Sequence, residues 1–412
     1  MQKSCGTEKD SCYFTQFGCS IYKSPTNYMP FTRTFHPVGQ GAFYTEQHYD
    51  QGETLNIIYD CGSVTRPKSQ FLLKVANALP AESVIDLLFI SHFHDDHTNG
   101  IEELKKRYTI RTVVLPKLTD EARTLIKLEN YLEYGGFSTA LIDNPQLYFG
   151  KNTLIIEVDP VNADGEEPNA VVAEGNNGPF IEISPDEPPT FSPNLENSKQ
   201  GTSVSVPSGT VFRFRTKSTP FWEYIPFNYE YAVRKALLEA SLMSLGISLD
   251  SLVNVKNIIA READLRGAYK KLKGRLNANS LVVYSGAVGP NRMLFHQRLL
   301  FTFHYLFYFT SEAEGCLYLG DIDLTVANVV TDMKARLRNY WQKIYSVQVP
   351  HHGSIHNFNS SIFNQNAQAV ISYGTTNKYS HPAPQVVSQL LRVPASPVCV
   401  TEKADTGFYS LD

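Results

Sequence analysis

Three imidazoles and two carboxylates fall within six consecutive positions at His92-Phe93-His94-Asp95-Asp96-His97. The apolar run LLFIS, residues 87–91, leads into them, so a strand end presents the cluster on a rigid turn. Imidazole nitrogen and carboxylate oxygen are donors suited to a borderline divalent cation such as Zn²⁺, and Mn²⁺ would accept the same set. The order His-x-His-x-Asp-His lets the chain wrap two neighbouring ions, His92 and His94 reaching one, Asp96 and His97 the other. A chance solvated loop is the plain alternative, and it accounts for neither the density nor the spacing.

Ions held this way need further ligands from distant segments. Asp60 closes the run NIIYD, Asp321 closes CLYLGD, and His351-His352-Gly353-Ser354 follows SVQVP. Each sits where a strand is expected to end. Asp321 has two oxygens with which to bridge two cations. Asp60 reads as a carboxylate that hydrogen-bonds the HFHDDH loop from behind, and Asp323 as a turn or cap residue. Either His351 or His352 could complete the set; His351, nearer the strand end, is favoured. Two ions about 3.5–4 Å apart would share a hydroxide and clamp both oxygens of a displacement, so hydrolysis of a phosphodiester by a metal-activated hydroxide is the chemistry expected.

The elements that must position these residues alternate. Strands are expected within 31–60, at 87–91, 112–115 and 152–158, with helices over 67–79, 98–108 and 119–134, where Leu125, Leu128 and Leu132 share a face. From Val161 to Gln200 the chain is rich in Asp, Glu, Pro, Asn and Gly, and reads as a long loop or partly ordered insertion. A strand over 210–216 and a helical block over 229–275, ending in the basic tract AYKKLKGR, follow. Alternation then resumes with LVVYSG, CLYLGD, SVQVP and AVISYG. Two sheets with helices outside satisfy the pattern. The expected organisation is a tail over 1–30, a first half over 31–159, an insertion over 160–280 made of an acidic loop and a helical block, and a second half over 281–412.

Composition narrows the setting. Of 412 residues, 42% are hydrophobic and 19% charged, a globular balance far from that of a disordered chain. A net charge of −4 argues against a polycation that coats nucleic acid, so any such contact has to be local. Six cysteines are too few for a disulfide scaffold in a chain this long, and they read as reduced thiols. The start MQKSCGTEKD is too polar for a signal peptide, and the greasiest run, LLFTFHYLFYF from Leu299, is too short to span a bilayer. A cytoplasmic protein without a membrane segment is expected.

The pieces PVGQGAFYTE, IIYDCGS, ISHFHDDHTNG, NSLVVYSG, CLYLGDID, VPHHGS and VISYGTTNKYSHP occur in that order over most of residues 35–390. Together they resemble the metallo-β-lactamase-like fold, and within it the soluble metallohydrolase domain of ComEC-type competence proteins and its stand-alone relatives. The resemblance implies an α/β (α+β) fold, a four-layer αβ/βα sandwich with metals at one edge, here with a central insertion. It implies that His92, His94, Asp96, His97, Asp321 and His351 form the metal shell around two Zn²⁺ ions, and that Asp60 supports it. Asp96 would also act in catalysis, and His352 and His381 in substrate contact or proton transfer. Where many members supply another histidine, NTLIIEVDP offers Asp159; His296 and His304 lie in an aromatic stretch.

The resemblance implies a nuclease, which needs the basic run 261–275 beside the metals. A phosphodiesterase for a small nucleotide predicts instead a pocket roofed by 160–280. A hydrolase of a small ester or lactone, or a metal-binding interaction module with a protein partner on 160–280, is the remaining alternative.

Overall fold

The apolar strands are buried on both faces. In Thr109–Pro116, Val114 packs into one cluster while Val113 and Leu115 pack into another; in Leu154–Val158, Ile156 and Val158 oppose Ile155 in the same way. Parallel strands covered on both sides produce such near-continuous apolar runs. The protein was analysed as a computed structural model, which describes residues 31–50, 52–134, 140–162, 178–185, 187–200, 203–215, 220–253, 255–270, 279–288, 295–298, 306–307 and 315–411.

Among these residues the strands form two sheets. The centre of the first runs Leu154–Val158, Thr109–Pro116, Val84–Phe89, Glu53–Cys61, Phe43–Asp50, Phe31–Phe35. The first four are parallel and the last two antiparallel. The centre of the second runs Ser396–Val400, Gln368–Ser372, Ile344–Gln348, Gly315–Tyr318, all parallel, followed by antiparallel Asn279–Ala287 and Pro220–Glu230. Tyr44, Tyr59 and Phe89 of the first sheet meet Phe212, Tyr224, Val283 and Tyr318 of the second in one inner core. The helices Ile101–Arg107 and Asp120–Tyr134 cover the outer face of the first sheet through Leu104, Leu125, Leu128 and Leu132. Val329–Leu337 and Pro384–Arg392 cover the second. The layers are therefore helix, sheet, sheet, helix, the α/β sandwich expected.

The segment expected as an acidic loop, 161–200, differs in its described part: Phe180–Ile183 joins the second sheet beside Val211–Arg215. Just beyond it, Ser203–Val206 joins the first sheet beside Leu154–Val158. Strands of four residues carry too little alternation to be read, which is why a loop was expected here. Pro220–Glu230 is an eleven-residue strand paired at nine positions with Asn279–Ala287. The helical block is present as Ala232–Ser244, Val255–Ala260 and Glu262–Lys270, and it sends Leu238, Leu242, Ile258 and Leu265 into the outer core of the first sheet. Strands from 178–230 and helices from 232–270 are thus built into the sandwich.

Arg261 and Arg266 of the expected basic run pair with Asp264 and Glu262 of the helix Glu262–Lys270. Its remainder from Lys271, the acidic stretch 163–177, the tail 1–30 with Cys5, Cys12 and Cys19, and His304 lie outside the described residues. No helix among the described residues is long and apolar enough to cross a membrane.

If the helical block belongs to the core, Leu265→Ala, at a fully buried position, lowers unfolding free energy by about 2–5 kcal/mol. Leu237→Ala, on the exposed face of Ala232–Ser244, changes it by no more than about 0.5 kcal/mol. Urea denaturation of both variants checks the difference.

Candidate metal centre

After Val84–Phe89 the chain runs without regular structure to His94, which is extended, and Asp95–Thr98 then closes a single helical turn. The turn is fastened by backbone. The Ala42 N–H donates to Asp96 O at 3.0 Å, and the Gly100 N–H donates to Cys61 O at 2.8 Å. Contact is close enough to exclude side chains. A Cβ on Gly62 would lie 2.4 Å from both the Asp96 carbonyl carbon and the His97 nitrogen, and one on Gly41 2.2 Å from Gly62 O. This close approach gives the glycines of PVGQGAFYTE and IIYDCGS a physical reason.

The second sheet contributes two loops from the ends of neighbouring parallel strands. Asp321 follows Gly315–Tyr318, and His351 and His352 follow Ile344–Gln348. His351, His352 and Gly353 are consecutive left-handed residues, at φ 49°, 56° and 82°. For the two histidines this conformation costs on the order of 1–3 kcal/mol each. Buried Gln348 ties the loops together: its Oε1 accepts from the Leu319 and Gly320 N–H groups at 2.7 Å, and its amide donates to Gly320 O and Val349 O.

Seven expected residues converge at this edge: His92, His94, Asp96, His97, Asp321, His351 and His352, all buried. His92, His97 and Asp321 offer ligand atoms within 4.8 Å of one another, and so do Asp96, His97 and His352. Asp321 lies centrally, with Oδ1 3.2 Å from His97 Nε2 and Oδ2 3.7 Å from Nε2 of both His92 and His351.

Proton bookkeeping tests whether the set suits a cation. His352 Nδ1 faces the Ser372 carbonyl at 2.9 Å, His351 Nδ1 faces Asn357 Oδ1 at 2.7 Å, and His97 Nδ1 faces Asp60 Oδ2 at 2.8 Å. Those partners accept, so each Nδ1 donates and a neutral ring presents a lone pair at Nε2. His352 Nε2 then faces Asp96 Oδ2 at 3.2 Å, and His97 Nε2 faces Asp321 Oδ1 at the same distance. Lone pairs this close call for a proton or a cation between them. The acid–base balance agrees. Burial pushes the Asp321 carboxyl up, but the charges of His351 and His97 outweigh it and hold it well below the usual range. Burial pulls His97 down, but Asp321 and Asp60 raise it well above its ordinary value. The donor set fits divalent ions.

Residues 49–184 match the model of the metallo-beta-lactamase superfamily. Among solved structures the chain is similar to human tRNase Z, short form, at 9% identity over 90% of this chain and 92% of that one, with a TM-score of 0.32. No curated protein sequence matches it. The matched stretch holds Asp60, HFHDDH and the helix Asp120–Tyr134; Asp321, His351 and His352 lie beyond it and reach the site through the second sheet.

The remaining expected residues fall into place as follows. Asp60 sits directly behind the loop and accepts from the Ser91 N–H at 2.7 Å and hydroxyl at 2.6 Å as well as from His97. His381 stands beside the centre, its ring centroid 5.8 Å from that of His351. His352, placed second to His351 as a ligand, is the one grouped with Asp96 and His97. Asp159 belongs to neither group. It is 41% exposed, and its Oδ1 accepts from Lys117 at 2.7 Å and Ser205 at 2.9 Å. A strand-end carboxylate with a lysine in reach is held by that lysine. His296 sits in Phe295–Arg298, near one end of the first sheet.

Glu129 was not anticipated. It is 1% exposed, with Oε2 3.4 Å from His94 Nε2. One signal pointed to it: Leu125, Leu128 and Leu132 define a buried helix face, and Glu129 lies inside that stripe.

The close backbone approach predicts that Gly62→Ala forces the Asp95–Thr98 turn outward. A destabilisation of about 1–3 kcal/mol is expected, with a weaker grip on added Zn²⁺. Thermal melts with and without Zn²⁺ measure both.

Proposed function

We propose that this chain is a metal-dependent hydrolase that cleaves phosphodiester bonds. The observation that carries the reading is the pair of buried nitrogen and oxygen donor groups that adjoin through His97. Asp96, His97 and His352 would hold one ion, and His92, His94, Asp321 and His351 the other, with Asp321 reaching both. Zn²⁺ suits the donors, and Mn²⁺ is the second choice. Bound there, two ions would supply an activated water near neutral pH and offset charge on the entering and leaving oxygens of an in-line displacement.

The chain's own side chains favour water as the nucleophile. The Ser91 hydroxyl is committed to Asp60 at 2.6 Å. Cys61 is buried, and burial pushes its thiol well above the ordinary range, away from the reactive thiolate. Asp60 holds His97 with Nε2 toward the site, and Asn357 and Ser372 do the same for His351 and His352. His381, beside His351, would return a proton to the departing alkoxide. The ComEC-type resemblance in the motifs favours a nucleic acid over a small nucleotide.

The test is a hydrolysis panel on chelator-stripped protein restored with Zn²⁺ or Mn²⁺. It holds linear and plasmid DNA, RNA, cyclic nucleotides, a generic phosphodiester, and a simple ester and lactone. Phosphodiester turnover is expected, lowered by at least about 10²–10³-fold in the Asp96→Ala, His97→Ala double variant. Turnover that survives in the double variant, or that is confined to the ester and lactone, overturns the proposal.

A further inference from the structure

Four of the five histidines at the centre have a partner on Nδ1 and turn Nε2 inward: Ser91 for His92, Asp60 for His97, Asn357 for His351 and Ser372 for His352. His94 is turned the other way. Its Nδ1 lies 3.1 Å from His92 Nε2, facing the centre, and its Nε2 points outward to Glu129 Oε2 at 3.4 Å. The site therefore needs His94 to offer Nδ1, which requires the ring proton on Nε2. An acceptor behind the ring favours that tautomer and holds the ring's orientation before any ion binds.

We propose that Glu129 is the positioning residue that sets His94 as an Nδ1 ligand, and that Tyr269 in turn sets Glu129. The Tyr269 hydroxyl donates to Glu129 Oε1, leaving Oε2 toward His94. The relay runs Tyr269, Glu129, His94, centre. Its outer member sits on Glu262–Lys270, the helix whose residues were expected to be an insertion. That helix is tied to Asp120–Tyr134 at two further points. Tyr131 donates to Glu262 at 3.0 Å, Arg266 donates to Leu132 O at 2.7 Å, and Leu265 and Ala268 pack into the core below. Next to Glu129, the Asn130 amide donates to Phe93 O at 2.9 Å, so two successive side chains of one helix hold the HFHDDH loop, by backbone and by imidazole. The helical block thereby tunes the metal centre although it contributes no ligand.

The assignment rests on the metal-centre reading above, and the experiment separates the two. Full-length apo-protein is titrated with Co²⁺, following the visible absorption and competition with a chromophoric chelator, without reference to turnover. Wild type is compared with E129A, E129Q, Y269F, H94A and E129A/H94A, with melting temperatures taken alongside. E129A is expected to bind one of two ions about 10–100-fold more weakly, with its absorption band shifted and two ions still bound at saturation. E129Q, whose amide oxygen can accept from Nε2–H, recovers most of the affinity. Y269F moves the same way by less. In the H94A background the E129A substitution has no further effect.

E129A with wild-type affinity and spectrum overturns the proposal, as does loss of one ion at saturation, which would make Glu129 a ligand itself. If E129A does not fold, Y269F carries the decision, and unchanged affinity and spectrum there overturn the relay. A wild type that takes up no Co²⁺ overturns the metal centre and this role with it; equal binding by wild type and variants overturns this role alone.

Discussion

One imidazole joins the two sheets at their common edge. His97 is held from the first sheet by Asp60 at 2.8 Å and faces Asp321 of the second at 3.2 Å. All three residues are buried. Burying charged groups is favourable only when each is matched, and removing one member of such a set costs about 3–5 kcal/mol. The edge is therefore an electrostatic unit, in which carboxylates draw positive charge inward while the imidazoles are fixed to receive it.

Register is set deeper in the sandwich. Glu46 of the first sheet accepts from Tyr224 at 2.5 Å and from Ser285 and Tyr318 at 2.7 Å, all on the second sheet, and from Arg33 at 2.6 Å. Apolar side chains would hold the sheets together without fixing how one sits on the other. A buried carboxylate with three hydroxyls from the opposite sheet and one guanidinium fixes a single alignment, since any slip leaves charge unmatched. Tyr318 carries that alignment toward the edge: it stacks on Tyr44 and Tyr59, and Tyr59 immediately precedes Asp60 in the chain. Asp321 follows Tyr318 by three residues, so the network that aligns the sheets also aligns the two carboxylates that hold His97.

What the sequence disclosed follows from where information is local. HFHDDH is contiguous and follows an apolar strand, so its place at the sheet edge was readable; the convergence of Asp321 and His351 on it was readable because strand ends in parallel sheets gather at one edge. The choice between His351 and His352 was not, because it depends on two successive left-handed residues that turn both rings inward. Asp159 satisfied the same strand-end rule, but Lys117 and Ser205 claim it, a contact made across segments. Glu129 was hidden by the opposite bias, since a lone acid in a helix is ordinarily solvent-facing. Pro220–Glu230 was hidden by Pro226, which argues against a central strand; here it pairs with Val283 all the same.

The strained loop shows how this edge holds its shape. Two non-glycine residues in left-handed conformation persist only where their surroundings leave no alternative. Gln348 supplies that constraint with four hydrogen bonds, two donated and two accepted, all to backbone of the adjoining loops. The opposite wall is held by Gly41 and Gly62, whose missing side chains let backbone meet backbone around the Asp95–Thr98 turn. Both devices act on main chain rather than on the imidazole and carboxylate groups themselves. A centre held by its backbone need not reorganise when charge enters it, and such preorganisation is where electrostatic stabilisation of a transition state gains most.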